Sequence, residues 1–288
     1  MGWRKRSEIR RKYNQCDRNV EELRDEFLES DGRLRLTFGS QEDSLRPIED
    51  TTKMITASWL GQIEYDTAWD QQKAMVAARI ETPDLPDEIL LLEHPPTYTL
   101  GRSGTLDHLL LDETALEAQG FTVRWVDRGG DITYHGPGQL VGYPILNLKR
   151  MFRLQGFDKP DFHRYLRNLE EVIIVALAEF GIAGWRYDGY TGVWVDWPDG
   201  PRKIAAIGVR VNVKGISSHG FALNVNPDMS HFGHIIPCGI SEHGVVCMAE
   251  MVKRPLTPTD LLPPITRAFT QVFETEVTLN EQQITVNE

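Results

Sequence analysis

Val193-Trp194-Val195-Asp196-Trp197-Pro198-Asp199-Gly200-Pro201-Arg202-Lys203-Ile204-Ala205-Ala206-Ile207-Gly208 reads as two apolar runs around a turn. Proline presets φ, and Asp-Gly accepts the left-handed region, so 193–197 and 203–213 should pair as a β-hairpin. His219 to Val225 is a further apolar run of strand length. Antiparallel neighbours of this kind imply a sheet with at least one packed face.

Earlier segments extend that picture. Met54 to Leu60 reads as a short strand. Asp66 can cap a helix carrying Trp69, Ala74, Val76 and Ala77, which Pro83 stops. Glu88 to Glu93 is an apolar run short enough for a buried strand. Phe121, Val123 and Trp125 alternate with polar neighbours as a half-buried strand does, and Gln139 to Leu148 reads as another. Asp161 to Phe180 has apolar residues at helical spacing, with Gly181 as the terminating residue. A last amphipathic helix is expected from Pro258 or Thr259 to Phe273. Strands and helices mix without strict alternation. The fold class is therefore α+β, with a mixed, mainly antiparallel sheet flanked by helices.

The chain divides into a charged extension over 1–52, a compact domain over 53–275 and a short polar tail over 276–288. Val20, Leu23, Phe27 and Leu28 could form the apolar stripe of one helix in the extension. Of 288 residues, 41% are hydrophobic, enough for a sizeable core. The formal charge of -11 argues against nucleic acid as a partner, since phosphate binding wants a basic face. No run of eighteen or more apolar residues occurs, so a membrane span is not expected. Met1-Gly2-Trp3-Arg4-Lys5-Arg6 is basic, but no apolar signal segment follows it. The three cysteines, Cys16, Cys238 and Cys247, suggest no disulfide framework and a reducing, cytoplasmic setting.

Two places carry chemistry. Arg128-Gly129-Gly130-Asp131-Ile132-Thr133-Tyr134-His135-Gly136-Pro137-Gly138-Gln139 packs four glycines and a proline into twelve residues. Glycines let backbone approach a ligand and expose N–H groups, while Arg, Thr, Tyr and His supply donors. The spacing is not that of a dinucleotide fingerprint. The second place is Pro237-Cys238-Gly239, a cysteine in a loop context, read with Lys203. A thiol attacks a carbonyl as thiolate, and a nearby cationic amine favours that form. By sequence position alone Lys203 reads as a solvated strand-end lysine rather than a catalyst. Cys247, inside an apolar run, is the inert candidate, and Cys16 lies in the charged extension. His231, His234, Cys238 and His243 could offer donors to a metal, but their spacing matches no standard zinc module. His219 and His135 read as polar wall or core residues.

Together, His94 to Gly104, Arg128 to Pro144, Gly192 to Val195, Lys203 to Val211, His219 to Val225 and Phe232 to Ile240 resemble the lipoyl(octanoyl) transferases. The likeness runs from Met54 to Phe273 and leaves the N-terminal extension uncovered. It implies the fold shared by biotin protein ligases and lipoate ligases. It also implies transfer of octanoate from octanoyl-acyl carrier protein to a lysine of lipoyl domains. The acceptors would be 2-oxoacid dehydrogenase complexes and glycine cleavage H protein. In that scheme Cys238 is the acyl-carrying nucleophile, and Lys203 favours its thiolate and shuttles protons. Arg128, Gly129, Gly130, Asp131, Ile132, Thr133, Tyr134 and His135 line the acyl site. Ala206, Ile207, Gly208, Gly220, Phe221 and Ala222 join them.

The thioester donor is already activated, so no ATP, metal or organic cofactor is expected; a monomer is the expected state. The acyl chain needs an apolar wall, for which Ala205, Ile207, Phe221 and Leu223 are candidates. Arg102, Lys149, Arg150 and Arg153 could form a basic docking rim for acidic partner domains. The alternatives are an ATP-dependent ligase of the same fold, which needs no cysteine, and an acyl-binding protein without turnover.

Overall fold

The computed structural model describes residues 54–236 and 243–280. The expected helix over residues 20–28, Cys16 and Pro237-Cys238-Gly239 lie outside these described residues. The described elements are β1 (Met54–Gln62), α1 (Tyr65–Glu81), β2 (Asp87–Glu93), β3 (Thr97–Leu100), α2 (Glu113–Glu117), β4 (Thr122–Trp125), β5 (Ile132–His135) and β6 (Gln139–Ile145). They continue with α3 (Leu148–Leu154), α4 (Phe162–Ala178), β7 (Trp185–Tyr187), β8 (Tyr190–Val195), β9 (Arg202–Val211), β10 (Ser217–Asn224), α5 (Met248–Val252), α6 (Leu262–Phe273) and β11 (Glu276–Asn280).

Eight strands form one sheet in the order β11-β1-β2-β6-β10-β9-β8-β7. β11, β1 and β2 run parallel, and every later neighbour is antiparallel. The sheet is therefore mixed and mainly antiparallel, and the fold class is α+β. The opening hairpin forms as expected, with Val195 opposite Arg202. β3 to β5 make a second, three-stranded sheet in the order β4-β3-β5.

Helices α4 and α6 cover one face of the large sheet. Asp161 caps α4 by accepting from the Arg164 amide at 3.0 Å, a bond typically contributing about 0.5–2 kcal/mol. Tyr165, Leu169, Val172, Ile173 and Ala176 then share one buried stripe, packed with Phe269 and Phe273 of α6. Gly181 ends the helix at φ +73°. On the opposite face lies α1, with Ala68 against Leu90, Val141, Tyr143 and Ala222. Its buried stripe is largely polar: Tyr65, Ala68, Gln72 and Arg79. Ala74, expected on the apolar side, is exposed. Asp66 does not cap α1; it lies in the first turn and accepts from Arg124 Nε at 2.9 Å.

The last helix starts at Leu262 rather than at Pro258 or Thr259, β9 ends at Val211 rather than Val213, and two further boundaries differ from the sequence reading. The expected strand to Leu148 ends at Ile145, and Leu148 begins α3 behind Asn147, whose side chain accepts from the Arg150 amide. Glu276–Asn280, assigned above to the polar tail, form edge strand β11. Val277 is buried there and Leu279 packs against the core. Alternation over five residues is too short a signal to separate such a strand from a tail.

Candidate active site

Lys203 opens β9 opposite Trp194 of β8. It is only 6% exposed, so it is not a solvated strand-end lysine. Its Nζ lies 5.0 Å from the centre of a Trp194 ring, a contact that strengthens when the cation is desolvated. Gly192 makes room for the stem. A Cβ there would sit 2.5 Å from the Ala205 carbonyl oxygen and 3.4 Å from Lys203 Cε. Gly192 also has φ +123°, outside the range that side chains favour. Its amide donates to the buried Glu170 carboxylate at 3.1 Å, which Arg167 and Arg186 neutralise. Tyr187, Tyr190 and His243 surround Trp194 with ring centres 5.2, 5.7 and 5.4 Å away.

The described chain on either side of residues 237–242 is anchored by backbone bonds. Before it, the Leu110 amide donates to the His234 carbonyl and the Ile236 amide to the His108 carbonyl, both at 2.9 Å. After it, the Lys203 amide donates to the Gly244 carbonyl at 3.0 Å and the Val246 amide to the Lys203 carbonyl at 3.1 Å. Cys247 is 2% exposed, and burial pushes its thiol up from the ordinary range. A buried, protonated thiol is a poor nucleophile, which fits its reading as the inert cysteine.

The glycine-rich stretch is two turns around a strand. Gly130 and Gly138 have φ +87° and +84°, and Ile132–His135 between them form β5. Arg128 is 7% exposed. Its Nη2 donates to the Thr99 carbonyl at 2.7 Å and to Thr99 Oγ1 at 2.9 Å, and its Nη1 donates to the Gly129 carbonyl at 3.0 Å. The Gly129 amide donates to the Val209 carbonyl at 3.0 Å, tying the turn to β9. Close approach is possible because Gly208 has no side chain; a Cβ there would lie 2.8 Å from the Gly129 carbonyl oxygen and 3.0 Å from Arg128 Cδ. A Cβ on Gly220 would lie 2.0 Å from the Gly142 carbonyl oxygen. Asp131 pairs with His108 Nδ1 at 2.5 Å.

Beside Arg128 lies a group of buried, neutral side chains. Burial lowers His94 to about 4 and His219 to about 3, and holds His135 well below the ordinary range. It raises Tyr65 to about 12 and Tyr143 well above its usual value. The tautomer of His94 follows from its partners. Its Nδ1 faces the Ile63 carbonyl at 2.8 Å and must donate, so Nε2 accepts from the Tyr143 hydroxyl at 2.8 Å. Permanent charge beside this group resides on Arg128 and on Asp127, whose Oδ1 lies 2.7 Å from His219 Nε2 and which pairs with Arg210.

Alternation sorts the remaining predicted residues. Thr133 and His135 share the face of Thr99 that Arg128 contacts. Ile132 and Tyr134 point the other way, into a second core with Tyr98, Leu100 and Phe232. Ala222 faces α1, with Ala206 its partner across the ladder. Ala205, Phe221 and Leu223 belong to the core under α4 and α6, and Ile207 packs on it. The expected acyl wall therefore lies on the other face of the sheet from the α1 side where Ala206 and Ala222 sit.

The basic rim is also divided. Arg150 is mostly buried and bonds Asp87 at 2.8 Å, so it is a structural ion pair. Lys149, Arg153 and Lys214 line one pocket at the Val213 end of β9, whereas Lys203 opens the other end. The eight rises from Lys203 to Val211, at about 3.3 Å each, put roughly 26 Å between those ends. The histidine cluster is occupied by tyrosines. His231 Nδ1 lies 2.7 Å from the Tyr134 hydroxyl, and His234 Nδ1 lies 2.9 Å from the Tyr98 hydroxyl. Among the described residues no group of three or more His, Cys, Asp or Glu could hold a metal.

Thr99, Gln139, Tyr143 and Asn224 were missed as site residues. Gln139 and Asn224 carried one usable signal, a polar side chain at the end of an otherwise apolar strand.

A family model described as "Lipoyl protein ligase A/B catalytic domain" matches residues 64–270. The chain is 44% identical over 238 residues to an octanoyltransferase of Flavobacterium psychrophilum, covering 78% of this chain and 99% of that one. It is 48% identical over 213 residues to an octanoyltransferase of Gloeobacter violaceus, covering 74% and 87%. Among solved structures it resembles a lipoate-protein ligase A bound with ATP, with TM-score 0.61, 15% identity, and 81% and 90% of the two chains covered. A bi-partite lipoate protein ligase from Thermoplasma acidophilum gives TM-score 0.59 at 14% identity, covering 81% and 88%. These two likenesses support the fold alone.

Proposed function

This chain belongs to the octanoyltransferases of the lipoyl protein ligase A/B catalytic domain family, and we propose that it moves octanoate through a thioester on Cys238 with Lys203 as proton shuttle. It is an acyltransferase acting in protein lipoylation. The donor on this reading is octanoyl-acyl carrier protein. The acceptor is a lysine of a lipoyl domain, in 2-oxoacid dehydrogenase complexes and glycine cleavage H protein.

The observation that carries the reading is the burial of Lys203 on a strand whose backbone is bonded on both sides to Gly244–Val246. Cys238 stands six positions before Gly244 and two after Ile236, itself tied to His108. The catalytic domain on this reading runs from β1 through β11. Arg128, Gly129, Gly130, Asp131, Thr133 and His135 serve the acyl site from the glycine-rich turn. Ala206, Gly208, Gly220 and Ala222 serve it from the sheet.

In the first half-reaction the Cys238 thiolate attacks the donor thioester carbonyl and a C–S bond forms. The tetrahedral oxyanion collapses, the carrier thiolate leaves, and the Lys203 ammonium gives it a proton. In the second, the target amine attacks the Cys238 thioester, neutral Lys203 takes its proton, and the Cys238 thiolate is released. Lys203 ends as it began, so the cycle balances. One acyl-enzyme serves two protein substrates in turn, and the kinetics are ping-pong. The few cysteines fit a cytoplasmic setting. No helix among the described residues is long and apolar enough to cross a membrane.

The test offers a lipoyl domain either octanoyl-acyl carrier protein or free octanoate with ATP and magnesium. Transfer from the carrier alone is expected. Product from octanoate and ATP, but none from the carrier, would move the chain to the ligases of this fold.

A further inference from the structure

Gln139 begins β6 and Asn224 ends β10, and the two stand directly opposite across the antiparallel ladder. Both are buried, at 1% and 4% exposure. An amide pair at such depth is retained only if its donors and acceptors are met. Here every bond has a direction. Gln139 Nε2 faces two carbonyl-type oxygens, Tyr134 O at 3.1 Å and Asn224 Oδ1 at 2.9 Å, so the nitrogen is fixed on that side. Its Oε1 then faces His135 Nδ1 at 2.9 Å, which must carry the proton. His135 Nε2 is left as an acceptor toward Thr99 Oγ1 at 3.4 Å, and that oxygen accepts from Arg128 at 2.9 Å. At the other end Asn224 Nδ2 donates to the Val246 carbonyl at 3.2 Å, and the Val246 amide donates to Lys203.

We propose that Asn224 and Gln139 are positioning residues. They clasp Val246, and with it the chain that follows Cys238, in register with Lys203, and they tie that clasp to His135 and Arg128. The assignment rests on the Cys238–Lys203 reading. A chain of bonds all donating one way is cooperatively strengthened, and in a dry interior it resists a slip of either end. The two halves of the site, the glycine-rich turn and the lysine strand, are thereby held to one geometry.

The test uses the full chain with Asn224→Ala and Gln139→Met. Asn224→Ala removes the donor to Val246; Gln139→Met leaves that donor in place and cuts the bonds to His135, to Asn224 and to the Tyr134 carbonyl. Two readouts are taken on each folded variant. One is steady-state transfer; the other is the pH profile of Cys238 alkylation by iodoacetamide, followed on its peptide by mass spectrometry. For Asn224→Ala, kcat should fall about 10- to 100-fold with KM for the octanoylated carrier little changed, as a misplacement near 1 Å gives. The alkylation midpoint should rise toward that of an ordinary thiol. Gln139→Met should shift both in the same sense by less.

A folded Asn224→Ala with wild-type kcat and an unmoved midpoint would overturn the proposal. If Asn224→Ala does not fold, Gln139→Met decides, and a wild-type profile there overturns it. Failure of the underlying reading is visible separately. It would show as an ordinary thiol profile in the wild type, or full turnover in Cys238→Ser, whatever the Asn224 variant does.

Discussion

Lys203 and Val246 are joined through the backbone, the Val246 amide donating to the Lys203 carbonyl at 3.1 Å while the Lys203 amide donates to Gly244. A lysine held on both sides and buried against Trp194 has one main-chain position available, and its amine is carried to a fixed place. The strand serves as a mount for the amine rather than only as a part of the core.

Lys203→Met keeps the apolar stem and both backbone bonds while removing the amine. It should fold, and single-turnover transfer should fall by about 10²–10⁴, the usual range for a lost general acid–base. An unchanged rate would remove Lys203 from the chemistry.

Gly208→Ala should push the Arg128–Gly129 turn off β9, because the new methyl would meet the Gly129 carbonyl oxygen at 2.8 Å. Transfer should drop at least about tenfold, as misplacement of a positioning group does. Gly233→Ala is the control, since its methyl would meet nothing within 4 Å. Equal activity in the two variants would refute the close-approach account.

Much of this was legible in the sequence, and the parts that were not share a cause. The hairpin at Pro198-Asp199-Gly200 and helix α4 announce themselves through turn chemistry and a full apolar stripe. Helix α1 hides its buried face because Gln72 and Arg79 occupy it. The glycine-rich stretch was readable as special, but not its division by parity, which sends Ile132 and Tyr134 into a separate core. Apolar character alone does not mark an acyl wall, because on these strands the apolar residues are the ones facing the helices. Asn224 and Gln139 act through each other, and a pairing across eighty-five positions is a tertiary fact.

Acid should destabilise the fold before it reaches the carboxylates. Folded His94 lies at about 4 and His219 at about 3, below the ordinary 6.5. Between those values the unfolded chain binds more protons, so this contribution is complete above about pH 6.5 and lost as pH falls toward 4. Urea midpoints should therefore decline from about pH 7 to pH 5, and less steeply in His94→Gln. A flat profile over that window would contradict the neutral assignment.

Arg150→Ala strands the buried Asp87 carboxylate, whose burial already raises it. Breaking such a pair costs about 3–5 kcal/mol, read as a lower denaturation midpoint. Lys149→Glu on the exposed face should change stability by no more than about 0.5 kcal/mol. If the two variants were equally stable, Arg150 would return to the surface patch.

The acyl-enzyme is the step on which the rest of the proposed cycle depends. Intact-mass spectrometry of the wild type and Cys238→Ser after incubation with octanoyl-acyl carrier protein tests it most directly. One octanoyl adduct that hydroxylamine removes is expected on the wild type, and in Cys238→Ser either no adduct or an ester that resists hydroxylamine. A wild type that transfers octanoate to a lipoyl domain yet never carries the adduct would contradict it and require direct transfer between the two substrates.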